Sequence, residues 1–125
     1  MARTLVHHFV LSTDGAGAAV SSKGAGINGR VIGVQVNFAA GAGAGVVPSL
    51  ECVSRGVTKV IWTGPAGATD IPMREIIEQS RGANDAVVAA EYRNPLFFGS
   101  LVAKLTSGAN NIADAAVISV MMESA

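Results

Sequence analysis

An alternating run of apolar residues between Asn28 and Phe38 (NGRVIGVQVNF) constrains the fold more than any other feature of the chain. In an extended chain its even positions share one side and its odd positions share the other, so that Ile32, Val34, Val36 and Phe38 lie opposite Val31, Gly33, Gln35 and Asn37. A period of two indicates a β-strand with one face on a core. Turn residues precede and follow the run. We therefore predict the central strand of a β-sandwich here.

Five further segments have the same character. They are 3–12, 46–54, 57–63, 100–107 and 115–123. The dipeptide Arg55-Gly56 predicts a tight turn, so that 46–54 and 57–63 form a hairpin. The last two strands are predicted to form a second hairpin across the loop at 108–114. A short segment at 86–92 is compatible with either an extended or a helical conformation.

The segment 70–81 is ambiguous. Met73, Ile76 and Ile77 keep helical spacing, and Gly82 is a suitable helix stop. These signals favour a helix locally, although the β-branched isoleucines fit a strand too and the surrounding segments are all strand-like. The residues alone leave both conformations open.

The 125 residues are predicted to form a single domain, 1–125. Two Gly/Ala-rich segments, 13–29 and 39–45, have little apolar side chain to bury and are predicted to be long loops. Short strands separated by Gly, Pro and Asn turns, without helical segments between them, indicate an all-β fold. We predict an antiparallel, jelly-roll-like β-sandwich with about 7–8 strands.

Charged side chains are scarce. Asp, Glu, Lys and Arg make up 14% of the chain, against about 25% in ordinary soluble domains. The strands at 3–12, 57–63 and 115–123 carry apolar residues on both faces, whereas a sheet with one face in water alternates apolar with polar residues. Two explanations are open: small Ala and Val side chains tolerated on any surface, or an outer surface covered by other subunits.

Several classes of partner are not expected. The formal net charge is +0, and the basic residues are scattered, whereas nucleic-acid-binding proteins carry a basic patch or stripe. No segment approaches the roughly 18 apolar residues of a membrane helix, and the first residues lack the apolar region of a signal peptide. Cys52 has no cysteine partner within the chain, which fits synthesis in the cytoplasm. We predict no nucleic-acid partner and no membrane partner.

No motif predicts an active site. Residues 24–29 (GAGING) match G-x-G-x-x-G, but a strand follows where the dinucleotide-binding motif requires a helix. His7 and His8 point to opposite faces of a strand, so they cannot bind one metal ion together. Cys52 lies within a strand, where a free cysteine is usually a small buried side chain. We therefore predict a non-enzymatic protein with no catalytic residue, no metal and no cofactor.

A succession of segments carries a resemblance to a known family. In order they are the strand at 29–38, the strand at 57–63 with Gly64 after it, DIPMR at 70–74, YRNP at 92–95, GSLVAKL at 99–105, GANN at 108–111 and the final apolar strand. In this succession the chain resembles the β-sandwich decoration, or cement, proteins of tailed-bacteriophage capsids. The resemblance implies that 71–79 is extended.

The resemblance also implies a virion structural protein that binds and reinforces a capsid lattice. Its implied place is the outer surface of the capsid, after synthesis in the host bacterial cytoplasm, and its implied partners are the major capsid protein and copies of itself, as a dimer or trimer. Because arginine is enriched at interfaces, three arginines join three residues of the first strand as predicted interface positions: Leu5, His7, Phe9, Arg30, Arg74 and Arg93.

Two other functions stay open from the residues alone. A phage tail or head–tail connector component would carry the same sequence features. A carbohydrate-binding β-sandwich would need exposed, coplanar aromatic side chains, and this chain has few aromatic residues, at 5%.

Overall fold

The computed structural model describes residues 3–23, 28–81, 84 and 86–124, and these residues form an all-β chain. Their eleven strands are β1 (Arg3–Leu11), β2 (Ala19–Lys23), β3 (Gly29–Phe38), β4 (Val47–Ser54), β5 (Val57–Thr63), β6 (Ile71–Glu75), β7 (Glu78–Arg81), β8 (Val87–Arg93), β9 (Leu96–Phe97), β10 (Ser100–Thr106) and β11 (Ala116–Ser124). The pairings between them are antiparallel. The predicted all-β, antiparallel class is therefore confirmed, with more strands than the sequence predicts.

The first sheet, sheet A, has the strand order β1-β11-β3-β6, and β9 pairs with the start of β3. Strand β1 pairs with β11 without interruption, from Arg3 opposite Ser124 to Leu11 opposite Ala116. Strands β11 and β3 lie inside the sheet, where both of their edges are hydrogen-bonded. The alternating run found in the sequence is thus an inner strand of this sheet.

A β-bulge in β3 changes which of its side chains face the core. Met121 of β11 pairs with Gly33 of β3. The next residue, Met122, pairs with Val31, which leaves Ile32 as an extra residue. One extra residue reverses the alternation, so Val31 is fully buried and Ile32 only half-buried. The predicted faces are therefore wrong at these two positions.

The second sheet, sheet B, has the order β2-β10-β4-β5. Strands β4 and β5 form the predicted hairpin, which is confirmed by pairing from Ser54 opposite Val57 to Ser49 opposite Thr63. The turn residue Arg55 has a φ of 50° and is followed by a glycine with a φ of 79°. Two successive positive φ angles are typical of the two-residue turns that match the twist of a hairpin.

The prediction of a loop over the whole of 13–29 is wrong, because this segment contains β2. Ala19 pairs with Leu105 of β10, and Lys23 pairs with Leu101. The segment AVSSK has little strand propensity of its own, and its pairing with β10, an inner strand of sheet B, stabilises it as a strand. The predicted loop at 39–45 contains no strand. Residues 24–27, which carry most of the glycine motif, lie outside the described residues.

The predicted hairpin between the last two strands is also wrong. Strand β10 lies in sheet B and β11 lies in sheet A. The connection at 107–115 therefore crosses from one sheet to the other. Sequence proximity favours a hairpin, but both strands find their neighbours among strands distant along the chain.

The ambiguous segment at 70–81 is extended. Strand β6 pairs with β3, and β7 pairs with β8. The chain is not one strand over 71–79, because residues 76–77 separate the two. Ile71 and Ile76 are buried in the core, whereas Ile77 is exposed. Pro72 is compatible with this arrangement because β6 is an edge strand, where a missing N–H breaks no ladder.

The inward faces of sheets A and B contribute to one hydrophobic cluster. Its largest fully buried side chains are Phe9, Leu11, Leu50, Leu101, Leu105, Ile118, Met122, Val31, Val34, Val36, Val46 and Val120. Cys52 is buried, as predicted, and Trp62 packs against the cluster from a half-buried position. Both sheets thus contribute side chains to one hydrophobic core.

Three loops that connect the two sheets meet in what we call the loop junction. They are the β1–β2, β3–β4 and β10–β11 loops. The N–H of Gly108 donates to the carbonyl of Gly17, and the N–H of Ala109 donates to that of Ala42, each at 2.9 Å. Gly17 has a φ of 74°, and a Cβ there would collide with the Gly108 carbonyl. Only glycine permits this close approach of the two backbones.

Candidate interaction surfaces

The outer face of sheet A carries apolar side chains where a sheet facing water usually carries polar ones. On β1, Val6 and Val10 are 48% and 54% exposed. They lie opposite Met121 and Val117 of β11, which are half-buried. We call these four residues the outer A face. It bears out the prediction that apolar residues occupy both faces of the first and last strands.

A polar pair crosses the middle of the outer A face. Ser119 of β11 lies between His8 of β1 and Gln35 of β3. Its Oγ is 2.7 Å from Nδ1 of His8, and the serine is only 5% exposed. Beside it, Nε2 of Gln35 donates to Oδ1 of Asn37 at 3.0 Å. These contacts fix four polar side chains between the apolar positions.

The Ser119–His8 contact does not amount to a nucleophilic site. A serine nucleophile needs a base that is itself oriented by a third group, together with donors for the developing oxyanion. Among the described residues no carboxylate hydrogen-bonds to His8, whose bond is to Ser119. The pair therefore has a structural role: it satisfies the buried hydroxyl of Ser119 and holds the imidazole of His8 against the sheet.

Strands β7 and β8 form a two-stranded sheet of their own, which we call the hairpin arm. Around the arm and its return to β10, large apolar side chains are exposed at Ile77, Val87, Tyr92, Leu96 and Phe98, with exposed fractions of 55%, 48%, 62%, 42% and 61%. We call these five residues the arm surface. An isolated two-stranded hairpin is only marginally stable in water. The arm therefore depends on its attachment to the rest of the chain.

An ion-pair network attaches the arm to the rest of the chain. Nζ of Lys59, on β5, donates to Oε1 of Glu78 at 2.9 Å and to the carbonyl of Leu96 at 3.1 Å. Nε of Arg93 lies 3.6 Å from the same carboxylate oxygen and makes no hydrogen bond to a described residue. Nδ2 of Asn94 donates to the carbonyl of Ile76 at 2.9 Å. One lysine thus joins β5, β7 and β9.

The predicted interface residues of β1 lie at different depths. Phe9 is 1% exposed and belongs to the core cluster. Leu5 and His7 are half-buried. The ring of His7 packs edge-on against Phe9, with centroids 4.5 Å apart. The structure therefore leaves Leu5 and His7 partly available to a neighbour, whereas the side chain of Phe9 is used inside the chain.

The three predicted arginines lie on three different strands, β3, β6 and β8. Arg30 is half-buried, and its Nη1 donates to the carbonyl of Asn94 at 2.9 Å. Arg93 lies in the arm attachment beside Glu78. Arg74 lies on β6, where it is exposed. Two of the three thus have contacts within the chain, and their role at an interface stays a prediction.

The sequence does not predict the arm surface. Its one local signal is the run Leu96-Phe97-Phe98 after a proline, because three large apolar residues in succession cannot all point inward. Phe97 is buried at 3% exposure, whereas its two neighbours are exposed. Val87 and Tyr92 are exposed on β8, and alternation along the chain does not reveal this.

Other kinds of site find little support among the described residues. No group of three His, Cys, Asp or Glu side chains there is arranged to hold a metal ion. Over the same residues, no helix has the length and apolarity that a membrane span requires. Trp62 packs against the core, so it does not offer a fully exposed ring for stacking on a sugar.

Comparison with known proteins leaves the family open: a scan against models of protein families and a search of curated proteins both give no match.

Proposed function

We propose that this chain is a non-enzymatic virion structural protein that binds and reinforces the capsid lattice of a tailed phage. In the same proposal its two sheets form a jelly-roll sandwich, and the arm surface contacts the lattice. The observation that carries the proposal is the exposure of large apolar side chains on and beside the strands of a chain with few charges.

The strand order supports the jelly-roll part. If the arm strands β7 and β8 and the short strand β9 are set aside, eight strands remain. When these are numbered again from 1 to 8 along the chain, β10 becomes strand 7 and β11 becomes strand 8. The order is then 1-8-3-6 in sheet A and 2-7-4-5 in sheet B. This is the order produced when a long hairpin of eight strands is folded into two packed sheets, as in a jelly roll. The single core cluster between the inward faces agrees with such packing. Jelly rolls occur in viral capsid proteins and also in lectins and cupins, so the fold alone does not choose the function.

The surface supports the assembly part. Exposed apolar clusters on a folded domain commonly mark contacts with other proteins. The arm surface contains two aromatic side chains, Tyr92 and Phe98, which are exposed by 62% and 61%. Aromatic residues are enriched in the buried centres of interfaces. A lattice contact that covers them would also stabilise the two-stranded hairpin arm.

Co-sedimentation tests the proposal. The purified chain is mixed with shells assembled from the phage's major capsid protein, and the pelleted fraction is measured as the shell concentration rises. We expect saturable binding and a higher disruption temperature for the decorated shells. A double variant, Tyr92→Lys with Phe98→Lys, is expected to bind at least about tenfold more weakly, because aromatic anchors dominate interface affinity.

The matched control is Val20→Lys, which alters a 67% exposed valine on β2, outside the arm surface. It is expected to bind as the unaltered chain does. The proposal fails if the unaltered chain stays in the supernatant. Its assignment of the arm surface fails if the double variant binds as well as the control.

A further inference from the structure

One asparagine of the chain is followed by a glycine. Asn28 precedes Gly29, whereas the other asparagines precede residues with a side chain. The backbone nitrogen of a residue can attack the side-chain amide of an asparagine before it, and a glycine leaves this nitrogen unshielded because it has no Cβ. Asn28 is exposed, whereas Gly29 is buried. The pair is therefore chemically suited to deamidation, and the fold decides how fast the reaction runs.

Deamidation of this pair proceeds in two steps and needs only water. In the first step the nitrogen of Gly29 gives up its proton and forms a bond to Cγ of Asn28, and Nδ2 takes up this proton and leaves as ammonia. The product is a cyclic succinimide. In the second step one water opens the ring: breaking the bond from nitrogen to Cγ gives aspartate, and breaking the bond from nitrogen to the backbone carbonyl carbon gives isoaspartate.

The fold engages the attacking nitrogen. The N–H of Val31 donates to the carbonyl of Pro95 at 2.9 Å. In an antiparallel ladder every second N–H of a strand points to the same neighbour, so the N–H of Gly29 points toward β9. Gly29 pairs there with Phe97, whose carbonyl accepts from it in this register. The nitrogen is therefore not free to lose its proton and attack while β9 is in place.

The same part of the chain engages the side chain under attack. The N–H of Gly99 donates to Oδ1 of Asn28 at 3.4 Å. Both groups that must react with each other are thus held by residues 97–99. Release of this segment frees the backbone nitrogen and the side-chain amide together.

Strand β9 is a short segment with few attachments. It has only 2 residues. Leu96 is 42% exposed and Phe98 is 61% exposed, whereas Phe97 between them is buried. The carbonyl of Leu96 accepts from Nζ of Lys59 at 3.1 Å. Short, partly exposed segments open at a lower free energy than the domain as a whole, so β9 can leave β3 without global unfolding.

We propose that Asn28 is a site of spontaneous deamidation and that local opening of β9 sets its rate. The reaction adds a negative charge at the start of β3. Isoaspartate also adds one carbon to the main chain there, directly before Gly29, which pairs with Phe97 on one side and with Ser124 on the other. The inference does not depend on binding to a shell.

The experiment follows conversion of Asn28 in the full chain during incubation in mildly alkaline buffer. Digestion and mass spectrometry measure the fraction in which the side-chain amide has become an acid, and chromatography separates the aspartate from the isoaspartate peptide. One sample is folded and the other is unfolded in guanidinium chloride. We expect both products, formed at least about tenfold more slowly in the folded chain. Asn110, which is exposed and precedes another asparagine, is the internal reference and is expected to convert slowly in both samples.

A matched pair of lysine variants tests the role of β9. Lys59→Met removes the contact to the carbonyl of Leu96 and is expected to convert Asn28 about threefold faster than the unaltered folded chain does. Lys104→Met removes an ion pair to Glu51 on sheet B and is expected to leave the rate unchanged. Urea unfolding of both variants shows whether any acceleration exceeds what a loss of global stability explains.

Each remaining outcome overturns a stated part of the inference. An unconverted Asn28 in the unfolded chain would overturn the modification site, and aspartate without isoaspartate would overturn the succinimide route. Equal rates in the folded and unfolded chain would overturn the protection by the fold. Equal rates in Lys59→Met and Lys104→Met, or an acceleration no larger than the loss of global stability explains, would overturn β9 as the segment that sets the rate.

Discussion

One hydroxyl group in the loop junction is expected to control the stability of the whole domain. Thr13 is only 7% exposed. Its Oγ1 donates to the carbonyl of Ala109 at 2.7 Å and accepts from the N–H of Ile112 at 2.8 Å. Both partners belong to the loop between β10 and β11, which crosses from sheet B to sheet A. Thr13 thus joins the β1–β2 crossing to the β10–β11 crossing.

Replacing Thr13 with valine keeps the shape of the side chain and removes only the hydroxyl. The carbonyl of Ala109 and the N–H of Ile112 then lose their partner. An unpaired buried group costs about 1–3 kcal/mol, and both groups belong to half-buried residues, so the low end applies to each. We expect Thr13→Val to lower the free energy of unfolding by about 2 kcal/mol, which corresponds to roughly 8 °C in Tm for a domain of this size.

The assay is urea and thermal unfolding followed by circular dichroism, with two controls. Thr13→Ser keeps the hydroxyl and is expected to lose much less stability than Thr13→Val. Thr106→Val changes an exposed threonine on β10, and surface changes of this kind usually fall within about 0.5 kcal/mol. If Thr13→Val is as stable as Thr106→Val, the loop junction does not depend on this hydroxyl and the reasoning is wrong.

Three further predictions concern other parts of the chain. Burial, the charge of Lys23 and the charge of His8 lower the pKa of His7 below 6.5. As the pH drops through 6.5, the unfolded chain therefore takes up this proton before the folded chain does, and the free energy of unfolding should fall. His7→Gln should reduce this dependence on pH in urea titrations. Gly99→Ala should destabilise the chain more than Gly56→Ala in the same unfolding assay, because both glycines have positive φ but only at Gly99 would a Cβ collide with a backbone carbonyl, that of Val53; equal losses would show that the collision is relieved. Glu78→Gln should accelerate amide exchange in the hairpin arm while changing global stability by less than about 1 kcal/mol. The control Glu51→Gln alters the ion pair with Lys104 on sheet B and should leave exchange in the arm unchanged. Slow exchange in both variants would mean that the Lys59 network does not hold the arm.

Alternation along the chain predicts the strands that carry their own apolar pattern. Strand β3, the β4–β5 hairpin and the extents of β1, β10 and β11 follow from it within a residue or two. The pattern does not identify β2, whose small residues become a strand only because β10 lies beside them. It also does not show that β10 and β11 lie in different sheets, because that depends on which distant strands each one meets.

The two candidate surfaces are not equally predictable from the sequence. Apolar residues at successive positions of β1 predict the outer A face, because two successive side chains of a strand point to opposite sides. The bulge at Ile32 is not visible in the sequence, since alternation continues on either side of it. The arm surface joins residues of β8, β9 and the segments beside them, and no local pattern shows which of these side chains stay exposed.

Hydroxyl-radical footprinting gives the most direct test of the claim that the exposed apolar side chains of this chain are covered in its assembled state. Oxidation of Tyr92 and Phe98 is compared between the free chain and the chain bound to shells, with Val20 as the internal reference. We expect strong protection of the two aromatic side chains on the shell and an unchanged reference. Equal oxidation of Tyr92 and Phe98 in the free and shell-bound chain would contradict it.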